Sequence, residues 1–197
     1  MPSLDIDAIK HVLAKREPVR DDVAVSHAAV ALVLREEHVS VGPELLLIRR
    51  ARRDGDPWSG HIALPGGRRQ KDDPTLLHTA MRETHEEVGL DLGDAGDLLG
   101  ALDEMPAMAR GERVGLSVAP FVFTLRETRT LRIDAREVDE ALWVPIVPYF
   151  EGEHAITIPY DHHGTTLMLP AFRAGRHALW GMTYKMLSQF FELLRER

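Results

Sequence analysis

Glu83, Glu86 and Glu87 fall within five residues of one another, in Arg82-Glu83-Thr84-His85-Glu86-Glu87-Val88-Gly89-Leu90. On a helix, at about 100° per residue, Glu83 and Glu87 lie one turn apart with Glu86 beside them, all within an arc of roughly 100°. Like charges at that spacing weaken a bare helix, so the pattern asks for a counter-charge. A divalent cation held by oxygen ligands supplies one. Mg²⁺ and Mn²⁺ suit such a set, as hard ions that work beside phosphate oxygens. The plainer reading of Glu-x-x-Glu-Glu by itself is a solvated acidic face.

The elements around these residues must position them. Asp73-Pro74 predicts a helix start, with Asp capping and Pro at the first helical position, and Gly89 predicts its stop. Leu76, Leu77, Ala80, Met81, Thr84 and Val88 form one mostly apolar stripe that the glutamates border. A buried face would therefore anchor the helix while the carboxylates look into a cleft. Ahead of it, Leu64-Pro65-Gly66-Gly67 permits a sharp turn and close approach of backbone to a ligand.

Turn and helix together resemble the Nudix box, the signature of Mg²⁺-dependent hydrolases that cleave nucleoside diphosphates linked to another group. The family pattern is Gly-x5-Glu-x7-Arg-Glu-U-x-Glu-Glu-x-Gly-U, where U is apolar. Gly67 takes the first position and Arg82 through Leu90 the second half. The chain departs from the pattern at Asp73, which replaces the isolated Glu with eight residues before Arg82, and at Thr84, which takes the first U. Neither departure touches the three glutamates.

The resemblance implies an α/β fold, a Nudix-type α/β/α sandwich with a mixed β-sheet, in which residues 65–90 form the box. It implies that Glu83, Glu86 and Glu87 hold Mg²⁺ or Mn²⁺, with the Gly67 carbonyl completing a coordination shell. Arg82 would orient a box carboxylate, with Asp73 as its structural partner. The general base would lie outside the box, with Glu104 and Glu137 as candidates, although a carboxylate in either setting is more often a surface group. A homodimer is also plausible from the family, through the terminal arm or the carboxyl helix.

Composition agrees with one enzyme domain spanning residues 1–197: the 44% hydrophobic and 28% charged content is that of a soluble globular chain. With no cysteine, disulfides, thiolate-zinc sites and thiol nucleophiles are excluded, and a reducing cytoplasm is the expected compartment. The amino end carries early acids and no long apolar run, which argues against a secretory signal, and no stretch suits a membrane span. A net charge of −7 counts against a nucleic-acid partner, and the family resemblance implies a small-molecule nucleotide substrate instead. Arg49, Arg50, Arg52 and Arg53 form one local cationic cluster, and Arg68 and Arg69 another. At least one of them is expected on a phosphate. Trp58 would stack on a base or pack its own loop.

Residues 1–25 read as an N-terminal helical arm, in which 5–16 form a short amphipathic helix with Ile6, Ile9 and Leu13 as its apolar positions. Residues 27–35 and 44–50 read as strands, 61–64 as a short extended piece, and 98–104 and 116–126 as further strands. Residues 137–142 predict a short helix, 156–159 and 165–169 a hairpin around Asp161-His162-His163-Gly164, and 179–195 a terminal amphipathic helix with Trp180 in the core unless that helix closes the substrate site.

Leu46-Leu47-Ile48-Arg49-Arg50-Ala51, with Gly60-His61-Ile62-Ala63-Leu64-Pro65-Gly66-Gly67, resembles the extra motif of coenzyme A diphosphatases. Leu169-Pro170-Ala171-Phe172 and Leu179-Trp180-Gly181-Met182-Thr183 are similar to that subfamily's carboxyl segment. The chain departs at Asp56, near a subfamily Arg, and at Leu64, where the motif has Phe; Arg52 or Arg53 is placed to compensate. The resemblance implies cleavage of coenzyme A or an acyl derivative to 3′,5′-ADP and 4′-phosphopantetheine. ADP-ribose, a dinucleotide or a nucleoside triphosphate would use the same chemistry. A catalytically silent nucleotide sensor is the reading from another class, and three intact glutamates speak against it.

Overall fold

The structure, a computed structural model, describes residues 4–36, 42–53, 58–109, 112–162 and 164–196. α1 (Ile6–Leu13) is capped by the Asp5 carboxylate on the Ala8 N–H and buries Ile9 and Leu13. Then come β1 (Ser26–Arg35), β2 (Glu44–Arg50), β3 (Ile62–Ala63), β4 (Gly66–Arg68), α2 (Leu76–Val88) and α3 (Leu92–Ala95). β5 (Gly96–Ala101), β6 (Met105–Ala109), β7 (Glu112–Leu125), β8 (Val138–Pro145) and α4 (Val147–Phe150) follow. β9 (Ala155–His162), β10 (Thr165–Ala174) and β11 (His177–Trp180) lead into α5 (Gly181–Arg195).

The larger sheet runs β3-β2-β1-β7-β5, with β4 paired to β1, β6 to β7 and β8 to β2. β1 and β7 lie parallel from Ser26 and Leu116 onward, while the other described pairs are antiparallel, so the sheet is mixed. Its central strand β1 reads SHAAVALVLR because both of its faces are covered. Leu32, Leu34, Leu45 and Leu47 point to one face, with Ile9 and Leu13 of α1 and Phe190 and Phe191 of α5. Ala29, Ala31, Val33, Leu46 and Ile48 point to the other, with Ala80 and Val88 of α2. Strand alternation thus divides the apolar residues between two cores, giving the expected α/β/α layering. β9, β10 and β11 form a second, three-stranded antiparallel sheet.

Four expectations need correction. α2 begins at Leu76 with Thr75 as its cap, because the Asp73 carboxylate is taken up by Arg82, Thr79 and the Gln70 N–H. Residues 137–142 are not helical: they enter β8, whose backbone completes the free edge of β2 from Arg50–Val138 to Glu44–Pro145. The terminal helix starts at Gly181 rather than 179, since Leu179 and Trp180 pair with Phe172 and Ala171 in β11. Trp180 is therefore on a half-buried strand end, outside both cores. β6, which was not expected, fills the edge of β7. Asp56 and His163 lie outside the described residues.

Candidate active site

The Gly66-Gly67 turn and α2 meet at the carboxylates. Gly66 has φ 152°, and a Cβ there would fall 2.3 Å from the Ala29 carbonyl oxygen and 2.6 Å from Val30 Cα. Only glycine lets β4 lie this close to β1. A Cβ on Gly67 would fall 2.5 Å from the carboxyl carbon of Glu83. The second glycine is thus the space into which that carboxylate is packed. Gly89, at φ 69°, ends α2 in the left-handed conformation and donates its N–H to the His85 carbonyl.

Glu87 is 1% exposed and accepts the Gly66 N–H at 2.8 Å. Burial pushes its carboxyl up to about 8; the Gly66 N–H and the Arg50 charge pull it down, and the charges of Glu83 and Glu137 push it further up. Glu83, 9% exposed, is raised by burial as well, against the lowering hydrogen bond from Arg82. Two neighbouring buried acids with raised values form a place short of positive charge.

Arg82 meets part of that need. Its guanidinium reaches Asp73 at 2.9 Å, Glu83 at 2.8 Å and Glu86 at 2.9 Å, and donates to the Arg68 carbonyl at 3.1 Å. Arg82, the Gln70 N–H and the Thr79 hydroxyl hold Asp73 well below the usual carboxylate range. Arg69 donates to the Asp73 and Pro74 carbonyls from the same loop. Residues 68–74 are in this way tied to α2 by one ionic knot, and Arg82 acts on the box glutamates rather than standing free.

The other expected residues separate into groups. Arg50 is half-buried, and its charge bears on Glu87. Glu137 bears on both Glu83 and Glu87 and pairs with Arg53 at 3.2 Å, so both belong to this neighbourhood. Arg49 points to the opposite face of β2 and is engaged by Asp139 and Glu140. Glu104 is committed elsewhere: its carboxylate takes the Asp21 N–H and the Ser117 hydroxyl, and its own N–H goes to the Val19 carbonyl. Arg52 and Arg68 are exposed, and Trp58 is half-buried in the turn whose carbonyl accepts the His61 N–H. Tyr160 had no signal in the sequence, because only the tertiary fold brings it to Trp180, 5.5 Å away, and through it to His61.

The donor set suits a hard cation, since Glu83, Glu86, Glu87 and the Gly67 carbonyl offer oxygen alone. Among the described residues, no three His, Asp or Glu side chains yet converge on one point. Glu83 is turned to Arg82 and Glu87 to Gly66, while Glu86 is half-exposed. Gathering them on an ion asks for side-chain rotation.

A family model described as "NUDIX domain" matches residues 25–156. An uncharacterised protein of Schizosaccharomyces pombe is 45% identical over 60% of this chain and 37% of its own length. A mitochondrial coenzyme A diphosphatase of Mus musculus, NUDT8, is 29% identical over 77% of this chain and 71% of its own. This chain thus spans little more than a third of the yeast relative. Among solved structures, a MutT/nudix family protein from Enterococcus faecalis superimposes with TM-score 0.54 at 15% identity, over 98% of this chain and 69% of that one. That likeness concerns the fold.

Proposed function

The chain belongs to the Nudix family and is a Nudix hydrolase; from that premise we propose a divalent-metal-dependent diphosphatase acting on coenzyme A or an acyl derivative. Its products are 3′,5′-ADP and 4′-phosphopantetheine or its acyl form. The observation that carries the chemistry is the pair of buried acids, Glu83 and Glu87, set against the Gly66-Gly67 turn. Likeness over most of the chain to an enzyme named as a coenzyme A diphosphatase supports the substrate.

Glu83, Glu86, Glu87 and the Gly67 carbonyl would hold the metal. When bound, Mg²⁺ or Mn²⁺ neutralises diphosphate oxygens and lowers the pKa of a water. Arg82, held by Asp73, orders the carboxylates. Arg50 offsets negative charge at Glu87, and Arg52 and Arg68 attract the substrate phosphates. Glu137, with Arg53 beside it, accepts the proton of the attacking water as one phosphoanhydride P–O bond breaks. The whole chain, arm included, acts as one catalytic unit in this reading. A cytoplasmic location is part of it too, resting on the absence of cysteine; the mouse relative is named mitochondrial, so imaging of the tagged chain decides. No helix among the described residues is long and apolar enough to cross a membrane.

A Mg²⁺-dependent hydrolysis panel with products identified by mass tests the proposal. It compares coenzyme A, acetyl coenzyme A, ADP-ribose, NADH, diadenosine polyphosphates and nucleoside triphosphates. Release of 3′,5′-ADP from coenzyme A, with much slower turnover elsewhere, is expected. Preference for ADP-ribose or a dinucleotide would keep the hydrolase and replace the substrate.

A further inference from the structure

Arg50 donates its backbone N–H to the His61 carbonyl at 3.0 Å, extending the β2–β3 ladder in which Ile48 faces Ala63 and Arg49 faces Ile62. Residues opposed across paired strands share a face. Arg50 alternates with Ile48 and so lies on the α2 face, where its charge bears on Glu87. His61 therefore lies on the same face of the sheet as Arg50 and α2. From it a run of rings leads away: 4.9 Å to Trp180, then 5.5 Å to Tyr160, then 6.5 Å to His162.

These rings do not fill a core. Trp180, Tyr160 and the opposing Leu167 belong to neither apolar cluster, whereas Phe172 and Leu179, on the other face of the same small sheet, are buried against α5. Trp180 and Tyr160 are half-buried and Leu167 is 41% exposed. Trp180 is tilted by 53° to His61 and by 50° to Tyr160, so neither neighbour lies flat on its indole, while Tyr160 and His162 are within 29° of parallel.

We propose that the Trp180–Tyr160 face is the subsite for the purine base of the substrate, with His61 linking it to the diphosphate held at the glutamates. This rests on the diphosphatase reading above. A diphosphate at Glu83 and Glu87 would reach this face through His61, which follows Arg50 along the β2–β3 pairing and lies 4.9 Å from Trp180. Stacking on Trp and Tyr binds any purine, and so sets affinity while leaving the chemistry at the glutamates unchanged.

The test reads binding and turnover separately. In full-length protein carrying Trp58→Phe and Trp143→Phe, Trp180 is the remaining indole. Its fluorescence is expected to be quenched saturably by 3′,5′-ADP and left unchanged by inorganic pyrophosphate. In the otherwise unaltered enzyme, Trp180→Ala and Tyr160→Ala are each expected to raise KM for the adenine substrate roughly 5- to 150-fold with kcat within about threefold, as loss of one stacking partner implies. Trp180→Phe should recover most of the loss, which separates stacking from a folding defect. Unquenched fluorescence, together with unchanged KM in both alanine variants, would overturn the subsite while coenzyme A hydrolysis still stood. Quenching by 3′,5′-ADP in an enzyme that hydrolyses no diphosphate would support the subsite and remove the diphosphatase reading. If either alanine variant alters only the sedimentation mass, the face is an interface between copies and the proposal fails.

Discussion

Glu87 is the residue whose surroundings make the sharpest demand. Its folded value of about 8 lies above the ordinary 4.5, so the folded chain holds this proton more tightly than the unfolded chain does. Between about pH 4.5 and 8 the folded state then binds more protons, and stability falls as pH rises through that window. With metal removed by chelation, the urea midpoint should decline from pH 5.5 to pH 8, and Glu87→Gln should flatten that decline. The same substitution, like Glu83→Gln, should lower turnover at saturating Mg²⁺ by orders of magnitude; near-normal activity in both would remove the metal-ligand assignment. Gly67→Ala probes the neighbouring space. Its methyl would enter the volume of the Glu83 carboxylate, the movable end of a side chain. Activity should collapse while the thermal midpoint shifts by only a few degrees. By contrast, Gly66→Ala meets the backbone of β1 and should fail to fold.

At the scale of elements, α2 is positioned from both ends and from one side. Thr75 caps it, Gly89 stops it, and Asp73 with Arg82 straps the loop before it to its exposed face. Asp73→Asn leaves Arg82 facing Glu83 and Glu86 without its most buried partner, and a buried pair broken on one side costs about 3 kcal/mol. Asp73 is held below its ordinary value, so its contribution is present above about pH 3.8 and is lost as pH falls below that. Urea titrations of wild type and Asp73→Asn at pH 7 and pH 3.5 should therefore show a large difference narrowing in acid. The existence of α2 was legible in the sequence because its apolar stripe, glutamate spacing and terminal Gly are local. Its first residue was not, because Asp73 had a choice between capping and Arg82, nine positions on. Residues 137–142 misled for a similar reason: the free edge of β2 drew them into a strand.

For the whole molecule, α2 and the terminal elements stand on opposite faces of one sheet. Ile9 of α1 is fully buried beneath α5, on the face away from Glu83. Ile9→Ala should cost about 2–5 kcal/mol in unfolding free energy, with kcat unchanged well below the melting midpoint. A parallel loss of kcat would mean that the two cores are coupled through β1. The sequence by itself determined the fold class, the turn-and-helix box and the three glutamates, since periodicity, glycine placement and charge spacing act over a few residues. Tertiary structure alone decided which charges meet. It turned Arg49 and Arg50 to opposite faces, committed Glu104 to the amino-terminal arm and Glu137 to the acids, and brought Trp180, Tyr160 and His61 together. Side-chain alternation and strand pairing join residues a hundred positions apart, and no local pattern in the chain encodes that pairing.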